Sequence, residues 1–91
     1  MYTSSTTISN TTGLHARPAT LFVEEAQKYS SKIFIKNLTS DSKAKNAKSI
    51  ISLLSLAMTS GTEIEISAEG EDETEAVDNL IKLVDSGLEE G

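Results

Sequence analysis

The sequence predicts an α+β fold: a four-stranded antiparallel sheet covered on one face by three helices, in the order β-α-β-β-α-β-α. Two kinds of observation carry this prediction. "KIFIK" (32–36) and "TEIEISAEG" (62–70) are strand segments, the second alternating Ile64 and Ile66 with Glu63 and Glu65 as a strand buried on one side must. The stretches beginning at Ala16 and Asp72 repeat their apolar residues at helical spacing instead, and each stripe is one-sided. Ninety-one residues are one domain's worth of chain, 1–91, with a small core and a modest stability margin.

Taken in order, "TTIS" (6–9) is a short polar strand with Ile8 as its clearest inward residue. From Ala16 to Tyr29, the residues Ala19, Phe22, Val23, Ala26 and Tyr29 form an amphipathic helix. "KIFIK" combines β-branched and aromatic residues and is the second strand. "NLTSDS" (37–42) has turn chemistry, and a short strand near 43–45 follows it. A helix is expected at about 49–58, with Leu53, Leu56 and Ala57 on its core face and Ile50 at the margin. Ile51, Leu54 and Met58 then point away. After the strand at 62–70, Asp72 is placed to cap the last helix, with Glu75 three residues on in a capping-box arrangement. Ala76, Val77, Leu80, Leu83 and Val84 are its apolar stripe, and Gly87-Leu88 is a left-handed C-terminal cap with its apolar partner.

The totals exclude several classes of function. No cysteine means no disulfide framework and no thiolate site. A single histidine leaves a metal only carboxylates and backbone oxygens, so no metal site is expected. The formal charge of −6 argues against a nucleic-acid binder. Five of the eight basic residues, Lys32, Lys36, Lys43, Lys45 and Lys48, lie between 32 and 48. They are either a local positive face toward an acidic partner or ordinary solvated strand and loop charge. The N-terminus has no signal-peptide pattern, and "IISLLSLAM" (50–58) is too short to span a bilayer. A cytoplasmic location without membrane insertion is the expectation.

The chemistry concentrates in "TTGLHARPATLF" (11–22), which holds the only histidine, the only arginine and the only proline. Pro18 has no N–H and a fixed φ, so it fits the first turn of a helix and sets the start near Ala16. His15 then stands at about the N-cap, where free N–H groups and a partial positive charge favour an anion. Imidazole is a neutral nucleophile near pH 7, and a phosphoryl group on His15 would lie against that helix end. Arg17 can reach the same oxygens with a charge-assisted fork, and Gly13 keeps bulk off the ring. A surface or capping histidine is the alternative. Composition does not exclude a Ser-His-Asp triad, but no nucleophile-elbow pattern accompanies it.

"GLHARPAT" (13–20) resembles the active-site segment of HPr, the histidine-containing phosphocarrier family of the bacterial sugar phosphotransferase system. "KSIISLLSLAM" (48–58) resembles the family's second-helix segment, and "SGTEIEISAEGEDETEAV" (60–77) its fourth strand and third-helix entry. The resemblance runs through essentially the whole chain and implies an open-faced β-sandwich. It further implies that His15 is phosphorylated on Nδ1 and that Arg17 stabilises the phosphoryl group. Enzyme I, charged from phosphoenolpyruvate, would be the donor and sugar-specific EIIA domains the acceptors. The protein would be a carrier and a substrate of other enzymes, without a cofactor and monomeric. Ser49 matches a serine phosphorylated by HPr kinase/phosphorylase, whose product acts as a corepressor with a catabolite-control transcription factor.

Ser49 also falls at the expected helix start, where serine is a good N-cap and where a phosphate would be tolerated. The residues alone leave both roles open. Ala16, Thr20, Ile50, Ile51 and Leu54 match the family's partner-binding surface, and an apolar cluster on an exposed helix face agrees with that. Departures from the family pattern are a turn around "LTSDSKAKN" about three residues longer, Ser52 and Ala57 where glycines are common, and a first strand rich in Thr and Ser. A regulatory module acting mainly through phospho-Ser49 is the alternative function, and a purely structural αβ domain a third.

Overall fold

The computed structural model describes residues 1–9, 16–40 and 43–88, the side chain of Ala16 excepted. The elements are β1 (Tyr2–Thr7), α1 (Ala16–Ala26), β2 (Lys32–Asn37), β3 (Lys45–Asn46), α2 (Ile50–Ser55), β4 (Glu63–Glu69) and α3 (Glu73–Asp85). The strands form one sheet in the order β1-β4-β2-β3, and every pairing is antiparallel. β4 is central: Ile66 lies opposite Ser4 on one side and Ile35 on the other.

Side-chain alternation decides where the helices go. Ile33, Ile35, Ile64, Ile66 and Ala68 lie on one face and are buried, while Lys32, Glu63 and Glu69 on the other are exposed. Only one face is apolar, so the helices cover that face alone. Ala19, Phe22, Val23 and Ala26 of α1, Leu53 of α2, and Ala76, Val77, Leu80 and Val84 of α3 complete one continuous core with it. The predicted open-faced arrangement of four strands and three helices is what forms. Tyr29 Oη ties the helices together, donating to Glu25 Oε2 at 2.8 Å and accepting from Asn79 Nδ2 at 2.7 Å.

Several expected boundaries shift. β1 begins at Tyr2 and ends before Ile8, which is buried just beyond the strand. Its inward positions are Tyr2, Ser4 and Thr6, too polar for apolar patterning to reveal. α1 stops at Ala26, and Tyr29 follows it in a turn. β3 covers Lys45–Asn46 instead of 43–45, and α2 covers Ile50–Ser55 instead of 49–58.

The shortened α2 reverses two side-chain assignments. Ala57, expected in the core, is exposed and adopts φ 51°. That left-handed residue turns the chain back, so Met58, expected outside, is 2 % exposed and buried. A Cβ in this region is sterically disfavoured.

The ends of α3 differ in how well they match expectation. At the C-terminus, Leu88 N–H reaches Leu83 O at 3.1 Å and Gly87 N–H reaches Val84 O at 2.9 Å, with Gly87 at φ 89°. This is a Schellman cap, and Leu88 is buried in the core as the expected apolar partner. At the N-terminus the capping box is absent. Asp72 precedes α3, but its side chain makes no cap bond. Its carboxylate instead accepts Ser30 N–H at 2.9 Å, Ser31 N–H at 3.0 Å and the Ser31 hydroxyl. Glu73, rather than Glu75, reaches back, accepting Gly70 N–H at 3.1 Å. Gly70 (φ 153°) lies so close to the chain at Ser31 that an added Cβ would come within 2.8 Å of Ser31 Cα.

These details generate two predictions. Ala57→Gly relieves the left-handed strain and stabilises the protein by about 0.5–1 kcal/mol, read from urea unfolding midpoints. The Asp72 carboxyl is held below its ordinary 3.8, first by the Ser31 hydroxyl and then by the Ser30 N–H. The charged form is therefore favoured in the fold, and its contribution is present above about pH 4 and lost as pH falls through the lowered value. Asp72→Asn is expected to be less stable than wild type at pH 6, with the gap narrowing at pH 3. An unchanged gap would contradict this assignment.

Candidate functional site

His15 and Gly13 lie outside the described residues, so the described part of the site begins at Ala16. Ala16 opens α1, Arg17 is exposed in its first turn, and Pro18 and Ala19 are buried behind it. Pro18 sits where a helix makes no use of its N–H, which is why the sequence starts a helix here. Its fixed φ and buried ring lock this turn, while the neighbouring Arg17 is left in solvent. No acidic residue occupies the first turn of α1. An anion at this end would meet the positive helix end and Arg17 without a competing carboxylate in that turn.

α2 packs against α1. Its N-cap is Ser49, in an extended conformation (φ −119°, ψ 120°), whose Oγ accepts Ser52 N–H at 3.2 Å. Leu53 N–H closes the first helical bond on Ser49 O at 3.1 Å. The capping role is thus realised. The α2 face away from the core shows Ile51 at 81 %, Leu54 at 43 % and Ile50 at 37 % exposure. Thr20 on α1 is half-buried. The described residues among those nominated from sequence thus fall on two touching helices, with Ala16 and Arg17 at the start of one and Ser49 at the start of the other.

Two residues that sequence reasoning passes over shape this region. Asn46 Oδ1 accepts Lys48 N–H at 2.9 Å, and Asn46 O accepts Ser49 N–H at 3.2 Å, making the tight turn that presents Ser49. Lys48 Nζ donates to Tyr29 O at 2.7 Å, placing a cation on the carbonyl end of the α1 region. The Asn-x-Lys spacing before Ser49 is a readable turn signal; the Tyr29 contact, 19 residues distant, is not. Of the basic cluster, Lys32 and Lys36 alternate with the buried β2 residues, Lys45 is in β3, and Lys48 donates to the Tyr29 carbonyl.

An open-faced sheet under three helices, with Arg17 beside Pro18 at one helix start and a capped serine at the next, is the arrangement that the resemblance to the HPr phosphocarriers implies. A family model described as "PTS HPr component phosphorylation site" matches residues 2–86. The chain is 46 % identical over 84 residues to phosphocarrier protein HPr of Haemophilus influenzae, covering 92 % of this chain and 95 % of that one. It is 51 % identical over 73 residues to the HPr-like protein Crh of Bacillus subtilis, covering 80 % and 82 %. The crystal structure of HPr-C-His from Thermoanaerobacter tengcongensis superimposes with a TM-score of 0.92 at 45 % identity, covering 100 % of this chain and 99 % of that one. The chain belongs to the HPr family, the phosphocarriers of the phosphotransferase system. No helix among the described residues is long and apolar enough to cross a membrane.

Exposure separates the roles of neighbouring α2 residues and sets a prediction. Leu53→Ala removes a side chain that is 0 % exposed and should cost about 2–5 kcal/mol. Ile51→Ala, at 81 % exposure, should change stability by no more than about 0.5 kcal/mol. Paired thermal and urea unfolding checks the contrast.

Proposed function

We propose that the chain relays a phosphoryl group from phospho-Enzyme I to sugar-specific EIIA domains through a transient phosphohistidine at His15. The observation that supports this most is "GLHARPAT" entering α1 within a chain matched from 2 to 86 by the family's phosphorylation-site model. In the forward step the neutral imidazole Nδ1 attacks phosphorus, an N–P bond forms, and the bond from phosphorus to the donor breaks. The donor keeps that electron pair. Arg17 and the N–H end of α1 bind the phosphoryl oxygens as their charge redistributes. In the second step an acceptor nucleophile takes the phosphoryl group and the imidazole leaves neutral. The protein needs no cofactor and acts as a carrier, not as an independent enzyme. Ala16, Thr20, Ile50, Ile51 and Leu54 are the docking surface in this reading. A cytoplasmic monomer, a single unit from 1 to 91, is the form in which it works.

Regulation at Ser49 belongs to the same proposal. A phosphate on Ser49 would place about two negative charges at the start of α2, beside the apolar docking face. It would repel an acidic partner there and suit HPr kinase/phosphorylase control. A second reading has specific support in the similarity to Crh, a solved form of which is described as a catabolite repression HPr of Bacillus subtilis. In that reading the chain acts mainly as a phosphoserine corepressor with a catabolite-control transcription factor. The presence of His15 and Arg17 favours phosphotransfer as the main role.

The test is incubation with Enzyme I and phosphoenolpyruvate. Wild type should acquire acid-labile phosphate, His15→Gln none, and Arg17→Ala should be labelled about 10- to 100-fold more slowly while remaining folded. Undiminished labelling of His15→Gln would sink the proposal. Labelling by HPr kinase and ATP, absent in Ser49→Ala, examines the regulatory arm separately.

A further inference from the structure

We propose that the corner of the sheet left uncovered by α2 is a binding cleft for a small polyol phosphomonoester. This inference is independent of phosphotransfer at His15.

The cleft follows from the shortness of α2. Six residues advance a helix by about 9 Å, so α2 ends at Ser55, and the chain turns back at Ala57 with its left-handed φ of 51°. The sheet runs on beyond that end. Lys45 of β3 lies opposite Ile35, and directly paired residues share a face. Lys45 is therefore on the helix-bearing side, where Ile35 is buried. Asn37, two residues past Ile35, is on the same side. What no helix covers there is a cleft of about 500 Å³, whose lining includes Asn37, Ser40, Lys43, Lys45, Ser55 and Ala57. That is the size of an ordinary small-molecule site.

Its floor and one rim are fixed without a ligand. Asn37 is buried, donates from Nδ2 to Leu56 O at 2.9 Å, and accepts Ser40 N–H on Oδ1 at 3.0 Å. The turn is tied to β4 as well: Leu38 N–H donates to Glu63 O at 2.8 Å, and Glu63 N–H donates to Thr39 Oγ1 at 2.9 Å. Binding there has little backbone left to order.

The two sides of the cleft differ in charge, and the difference selects the ligand. Lys43 and Lys45 bring two ammonium groups. Neither forms an ion pair among the described residues, and no carboxylate among those residues lines the cleft. Two cations on one cleft without a counter-charge suit a phosphate dianion. The opposite side is the C-terminal end of α2, where carbonyl groups outnumber helical N–H donors and carry partial negative charge. Ser55 adds a hydroxyl oxygen there, its own proton being donated to Ser52 O at 2.7 Å. A bare anion gains nothing from that side. A ligand with hydroxyls does, because each O–H can donate to a carbonyl or to Ser55 Oγ. The occupant is thus anionic at one end and a hydroxyl donor at the other, which describes a polyol phosphate. The lengthened turn around "LTSDSKAKN" is what brings Ser40 and Lys43 to the cleft.

Amide chemical-shift titration of the full chain with glycerol 3-phosphate, at constant ionic strength, tests this. Saturable shifts are expected at Asn37, Lys45, Ser55 and Ala57, with a dissociation constant on the order of 1 mM. Inorganic phosphate should bind at least about fivefold more weakly, and glycerol alone should give no saturable shift. Lys43→Gln/Lys45→Gln should weaken glycerol 3-phosphate at least about tenfold and leave the rest of the spectrum in place. Absence of saturable shifts up to about 20 mM overturns the proposal. So does a double variant that binds as tightly as wild type. Inorganic phosphate that binds as well as glycerol 3-phosphate overturns the assignment to a polyol ligand.

Discussion

The one-sided burial of β4 is the constraint on which the rest of the molecule depends. Ile64, Ile66 and Ala68 are fully buried on one face, and β4 is hydrogen-bonded along both edges. Once that strand is placed, the helices have only one layer to occupy. α3 lies across β1, β4 and β2, and α1 packs against α3 and α2. The shortest helix, α2, contributes one fully buried residue, Leu53, and turns most of its apolar side chains outward. The layer arrangement thus creates the exposed apolar surface: a helix with too little core to cover keeps a leucine and two isoleucines in solvent.

Much of this is legible in the sequence because it depends on neighbouring residues. The strand segments at 32–36 and 62–70, the α3 stripe and the Gly87-Leu88 cap all follow from local periodicity or from one residue's φ. The start of α1 follows in the same way from Pro18, and with it the setting of Arg17. The exposure of Ile51 and Leu54, with Ile50 at the margin, follows from counting around the helix.

What escapes is non-local or a matter of degree. Asp72 has every local mark of a helix cap, yet its carboxylate serves Ser30 and Ser31, more than forty residues earlier in the chain. Helical counting carried past Ser55 points Met58 outward; one left-handed residue at Ala57 makes the count invalid. The pattern shows too little of β1 because its inward residues, Tyr2, Ser4 and Thr6, all carry hydroxyls and give no aliphatic alternation.

The bond from Lys48 to the Tyr29 carbonyl bears on how the chain beyond α1 is held. α1 has no basic residue in its own last turn, and Lys48, reached after β2 and β3, brings a cation to the Tyr29 carbonyl three residues beyond the helix. That contact closes a loop between residues 19 apart and is no part of the helix's own bonding pattern. The contact exists only where the chain between Tyr29 and Lys48 has folded back on itself. The turn that follows the helix begun in "GLHARPAT" is therefore fastened by the residue that immediately precedes Ser49.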